Sequence, residues 1–159
     1  MGAHVSLLLV QRRFWELVAQ GVPPSVHIGG DREDGLMAER INVSSGSPYE
    51  SAVGYSRAVR IGPYIAVAGT TGNGDDVGAQ TRDALRRIEL ALRDVGATLR
   101  DVVRTRIFVT DITRWQEVGA VHAAVFGDIK PAATMVEVSA LIEPALRVEI
   151  EADAYAPEG

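Results

Sequence analysis

The sequence has no cysteine, which excludes disulfides, thiolate-bound metal and a cysteine nucleophile. Histidine is scarce. His4, His27 and His122 lie far apart, with no pair spaced i, i+4, so no histidine-based metal site is expected. Basic residues form no long run, and 16 Lys and Arg face 21 Asp and Glu, a net charge of −5. Phosphate binding needs a concentrated basic surface, so no nucleic-acid partner is expected. Long apolar stretches are also missing. None approaches the roughly 18–20 residues of a spanning helix. Residues 5–10 are apolar but short, nothing basic precedes them, and Arg12-Arg13 follows. That is the reverse of a secretory signal. The expectations are no membrane partner and a cytoplasmic location.

What is present is enough for one core. Of 159 residues, 47% are hydrophobic, which suits a single domain. The first 36 residues differ in character from the rest. A short helix is predicted over 5–19, and Pro23-Pro24, Gly29-Gly30 and the charged run to Gly35 read as a linker. Residues 1–36 are therefore expected to be an N-terminal extension, helical or disordered, and residues 37–159 the folded domain.

Within the domain, the runs 58–61 and 64–68 flank Gly62-Pro63 and read as a hairpin. The cluster Gly69–Asp76 lacks both the Walker Lys-Ser/Thr pair and the Rossmann spacing. A flexible strand-to-helix loop is the expectation there. Asp75 or Asp76 caps a helix to about Val95, with Leu85, Ile88, Leu92 and Val95 on one stripe, and Gly96 stops it. Val102–Val109 alternates as a strand with Val103, Thr105, Ile107 and Val109 on one face. Thr113–Gln116 fits a capping box that opens a second helix to about Phe126, with Trp115, Val118, Val121 and Val125 inward. Strands over 134–142 and 146–156 close the chain. The order is ββαβαββ, an α+β fold with two helices on one face of a sheet.

The last strand carries Glu149, Glu151 and Asp153 on its polar side, where alternate residues share a face. On pattern alone these are a solvated edge. At a subunit interface one of them would be a buried acid or base.

Pro131-Ala132-Ala133-Thr134-Met135-Val136-Glu137-Val138, followed by Val148-Glu149-Ile150-Glu151-Ala152, resembles the C-terminal signature of the YjgF/RidA family, roughly P-A-R-[ST]-x-V-x-V and then V-E-I-E-A. Gly54–Ala58 looks like its first strand, Ala68-Gly69 like its Ser-Gly step, and Val102–Asp111 like its mid-chain strand. The resemblance covers about 37–157. It implies a chorismate-mutase-like fold, a homotrimeric barrel with clefts between subunits, and hydrolysis of reactive enamines and imines to keto acids and ammonia. The resemblance implies a small-molecule substrate and neither a metal nor an organic cofactor. Carried over residue by residue, it assigns water handling to Glu149 and substrate contact to Tyr55 and Gly69. Three positions depart from the family: Ala68 replaces a serine, Gly119 an asparagine, and Ala133 the arginine that clamps the substrate carboxylate. A bidentate guanidinium–carboxylate pair is geometrically specific, and its loss costs on the order of 2–5 kcal/mol of binding. Arg57 and Lys130 are the cations available to compensate, and Thr134 keeps a hydroxyl beside Ala133. The expected function is a hydrolase of an enamine, imine or related carbonyl metabolite. The alternative is a non-catalytic ligand-binding or regulatory trimer. The ribonuclease activity named for some relatives is disfavoured by the acidic charge.

Overall fold

In the computed structural model, which describes residues 38–157, the chain runs through nine main elements: β1 (Arg40–Val43), α1 (Pro48–Val53), β2 (Ala58–Ile61), β3 (Tyr64–Thr71), α2 (Val77–Asp94), β4 (Val102–Val109), α3 (Trp115–Phe126), β5 (Ala132–Glu137) and β6 (Val148–Tyr155). The expected extension over 1–36 lies outside the described residues. From β2 onward the order is the predicted ββαβαββ. One six-stranded sheet forms in the order β1-β2-β3-β6-β4-β5. All neighbours are antiparallel except β4 and β5, which run parallel. The fold is α+β, as the pattern implied.

Helix α2 forms where its signals lie. The Asp76 carboxylate accepts from Ala79 N at 2.7 Å. Its stripe of Leu85, Ile88 and Leu92, with Val95 just beyond, is buried against Ile65, Val67, Ile107, Val148 and Ile150 of the sheet. Each such side chain contributes about 1.5–3 kcal/mol by leaving water. Gly96 follows in the left-handed conformation, φ +73°. Arg60 is buried on this core face. Its guanidinium donates to three carbonyls: Gly62 at 2.8 Å, Val95 at 2.7 Å and Ala156 at 2.8 Å. A cation thus caps the negative end of α2 and ties it to the hairpin and the chain's exit from β6.

The structure departs from the sequence reading in several places. Residues 54–57 are not strand. Gly54 closes α1 at φ +82° and β2 begins only at Ala58. A register shift between Val102 and Arg104 makes Val103 an extra, outward residue and leaves Val102 buried, as a bulge does. Thr113 does not cap α3. Asp111 accepts from Thr113 N at 3.0 Å and starts a 3-10 turn, and Arg114 at the helix start makes no side-chain cap. Trp115 is exposed rather than inward, while Val118 and Phe126 are buried. The closing strands are shorter than expected, Ala132–Glu137 and Val148–Tyr155. Between them, the buried Gln80 of α2 donates to Ala145 O at 3.0 Å and accepts from Arg147 N at 2.8 Å, fixing the loop where it enters β6.

Candidate functional site

The face of the sheet away from the helices carries the three carboxylates of β6. They are not equivalent. Arg106 on β4 reaches Glu151 at 3.4 Å and Asp153 at 3.1 Å, and the Tyr64 hydroxyl donates to Asp153 at 3.1 Å. Burial and the Asp153 charge hold the Tyr64 phenol above its usual range. Glu149 has no such partner among the described residues. It is half-buried, and burial first, then the charge of Glu151, pushes its carboxyl above the ordinary range, with Arg57 opposing. A carboxylate in this setting is a better base than one in water.

The bulge that re-aims β3 builds the rest of the site. Pairing shifts between Val67 and Thr70, so Ala68 and Gly69 together oppose Glu151. This shift presses the backbone of Gly69 against Glu149. A methyl at position 69 would overlap Glu149 Oε1 and stand 3.0 Å from Cδ. The carbonyl of Gly69 accepts from Arg57 Nη1 at 2.7 Å, and Thr70 Oγ1 accepts from the same nitrogen at 2.9 Å. Arg57 Nη2 donates to the Tyr55 hydroxyl at 3.1 Å, and the guanidinium lies 5.5 Å from the Tyr55 ring centroid. Nε and one Nη2 hydrogen keep no acceptor among the described residues. The guanidinium is oriented by the protein with donors to spare.

Tyr55, Arg57, Gly69 and Glu149 line one cleft of about 1070 Å³. Ala133 and Thr134 lie outside its lining. Ala133 pairs with Thr105, whose side chain is buried toward the helices and lies 3.0 Å from His122 Nε2, and Thr134 pairs with Arg106. Lys130, in a left-handed turn after α3, also lies outside it. Gly119 sits under the Trp115 ring. Of the segment Gly69–Asp76, Gly69–Thr71 belong to β3, Gly72 is packed against α2, and Asn73–Asp76 are exposed. A methyl at Gly72 would stand 2.6 Å from Ala84 N of α2.

One wall of the cleft had no functional assignment in the sequence reading. The Glu50 carboxylate accepts from Ser45 N at 2.8 Å, from Ser45 Oγ at 2.6 Å and from Ser44 Oγ. These bonds, Ser44 first, lower its pKa to about 2. The signal was present as Ser47-Pro48-Tyr49-Glu50, a serine followed by proline and an acid three residues on, which marks a helix start. The Ser47 hydroxyl does accept from Tyr49 N, at 3.3 Å. Across the cleft mouth, the Tyr49 hydroxyl donates to Glu143 at 3.0 Å, which raises the phenol's pKa.

Residues 46–156 match the family described as endoribonuclease L-PSP. The crystal structure of Rv2704 from Mycobacterium tuberculosis, described as a member of the YjgF/YER057c/UK114 family, is 73% identical with a TM-score of 0.74, covering 74% of this chain and 100% of that one. A RutC family protein of Pyrococcus abyssi is 36% identical over 109 residues, 64% of this chain and 85% of its own. A 2-iminobutanoate/2-iminopropanoate deaminase of Salmonella typhimurium is 32% identical over 109 residues, 66% of this chain and 84% of its own.

Proposed function

The chain belongs to the YjgF/RidA family, matched as endoribonuclease L-PSP, and from that premise we propose that it hydrolyses an enamine, imine or related carbonyl metabolite in the cleft of Glu149 and Arg57. Its mixed sheet-and-helix architecture is consistent with the family's chorismate-mutase-like fold. The observation that carries the reading is the joint held by Gly69. Its backbone bears on a carboxylate with no donor among the described residues, and its carbonyl fixes a guanidinium beside it.

In the proposed reaction water adds across C=N. Glu149 takes a proton from the water as its oxygen bonds to carbon, then returns that proton to nitrogen. Glu149 next takes the hydroxyl proton of the tetrahedral adduct and delivers it to the departing nitrogen, so that the C–N bond breaks as C=O forms and ammonia leaves. The spare donors of Arg57 hold the substrate's carboxylate or carbonyl oxygen, the task left open by Ala133. Each addition and loss is balanced by the one carboxyl group.

The assembly belongs to this proposal. Ile61, Tyr64 and Tyr155 form an exposed apolar row at one end of the open face, and Val136 is exposed on the same face level with Glu149, which supports assembly through these faces as in a homotrimer in which they cover one another. Ala133 and Thr134 of one copy then border the cleft of the next. The second reading, a non-catalytic ligand-binding trimer, is favoured by alanine at position 133.

The test is release of ammonia and keto acid from 2-aminoacrylate generated in situ. Turnover above buffer that falls by about 10²-fold or more in Glu149→Gln supports the hydrolase. Rates equal to buffer for both wild type and Ala133→Arg would rule out the family's archetypal reaction. Ligand affinity unchanged by Glu149→Gln would then favour the binding-only reading.

A further inference from the structure

The cleft is mixed in character, with Arg87, Asp94, Glu143 and Glu151 in its lining, but part of its rim is apolar. Val53 is 70% exposed, Ile142 66%, Leu90 44% and Tyr49 41%, and all four line this cleft. Scattered surface hydrophobics are ordinary, but a set gathered around one concavity marks a recognition surface. The geometry explains the gathering. Val53 lies one helical turn after Tyr49, so both share a face of α1. The Tyr49 hydroxyl holds Glu143 at 3.0 Å, next to Ile142. The bond therefore sets the α1 wall beside the β5–β6 loop, which Gln80 anchors from the core side. Leu90 of α2 supplies a third side, and Val43 and Leu146 continue the apolar lining inward. The volume, about 1070 Å³, lies at the upper end of the range for drug-sized ligands, roughly 300–1,000 Å³. It far exceeds what a three- or four-carbon imine fills.

We propose that this cleft selects 2-imino or 2-oxo acids with an extended aliphatic side chain, the polar head on Arg57 and Glu149 and the tail on Val53, Leu90 and Ile142. The inference rests on the hydrolase reading for the position of the head group. It adds the substrate class.

The experiment is calorimetric binding of straight-chain 2-oxo acids of four, six and eight carbons, the products such imines would give, to the full-length protein. Each two added carbons tighten Kd by about four- to 15-fold, depending on how fully the methylenes leave water. In the triple variant Val53→Ser, Leu90→Ser, Ile142→Ser the gain drops below about twofold. The replaced side chains are exposed, so their loss costs the fold little, and a melting curve confirms that the variant is folded. Affinity that is flat or falls with chain length overturns the proposal, as does a length dependence that survives in the triple variant. If the four-carbon acid binds and Arg57→Gln weakens it while length has no effect, the substrate class alone fails. If none of the acids binds, or binding ignores both Arg57→Gln and Glu149→Gln, the reading of the site fails with it.

Discussion

Replacing Gly69 with alanine tests the site without removing any functional group. The added methyl would overlap Glu149 Oε1 and lie 3.0 Å from its Cδ. Gly69 is not among the positive-φ glycines, so alanine fits the backbone, and the unfolded chain loses freedom worth about 0.4–1 kcal/mol. The obstacle is the far end of a flexible side chain, so the carboxyl retreats by about 1 Å while the fold stays. Net stability should change by less than about 1 kcal/mol, or some 2–4 °C in Tm for a chain of this size. Misplacing a reacting group by 1 Å costs about 10²-fold in rate, so kcat/KM for imine hydrolysis should fall by that factor. In a Glu149→Gln background the same substitution should cost almost nothing further, because both changes act through one carboxyl. Carbon-detected NMR of the glutamate carboxyls should show the Glu149 titration moving back toward the ordinary range. An unchanged kcat/KM in Gly69→Ala would refute the reasoning, and so would equal losses in the wild-type and Glu149→Gln backgrounds. A stability loss of several kcal/mol would show that the backbone yields instead of the carboxyl.

Three further outcomes follow from the same structure. Glu149 titrates above its ordinary range in the folded state, so its ionised form opposes folding above that range and the penalty vanishes once both states are protonated. Glu149→Gln should therefore raise urea stability at pH 7 and have progressively less effect as pH falls through the carboxylate range, and a gain that grows on acidification would contradict this. Glu50 is lowered from 4.5 to about 2, so its contribution is present above 4.5 and lost as pH falls toward 2. Glu50→Gln should destabilise at pH 7 and be neutral near pH 2, as read by denaturation midpoints. Arg60→Lys should cost about 2–4 kcal/mol in urea with unchanged m, because one ammonium cannot serve three carbonyls placed around a planar fork. A loss under about 0.5 kcal/mol would count against that tie.

Much of this architecture was written plainly in the residues. The stripe from Leu85 to Val95, the turn at Gly62-Pro63 and the alternation along Val148–Tyr155 each obey a single local period, and each formed where that period placed it. The misreadings fall where a local signal is short or a non-local pairing overrides it. β1 spans only Arg40–Val43 and its register comes from β2. Val102 and Val103 exchange faces because of a bulge that exists only against β6. Thr113 met the pattern of a cap, but its N–H is taken by Asp111 in a 3-10 turn that leads straight into α3, which then starts without a side-chain cap. In the site, pattern alone could not separate Glu149 from Glu151 and Asp153. Their difference depends on Arg106, which stands on another strand, and on a bulge at Gly69, far away in sequence. Glu50 was legible only as part of a helix start, because its serine partners say nothing of a cleft until the sheet is built.

The position of β6 also bears on how the protein is made. This strand is the last of the domain's described strands but lies inside the sheet, between β3 and β4. While synthesis is under way, the hairpin of β2 and β3 and the parallel pair of β4 and β5 have no strand to join them, and the core face of α2 lacks Val148 and Ile150. Every contact β6 makes with β3 spans most of the domain's length, which makes its docking slow and late. A nascent chain arrested before Val148 should be protease-sensitive throughout, and one released after Tyr155 resistant. The strand that completes the sheet also delivers Glu149, so the reactive carboxylate takes its place only as the fold closes.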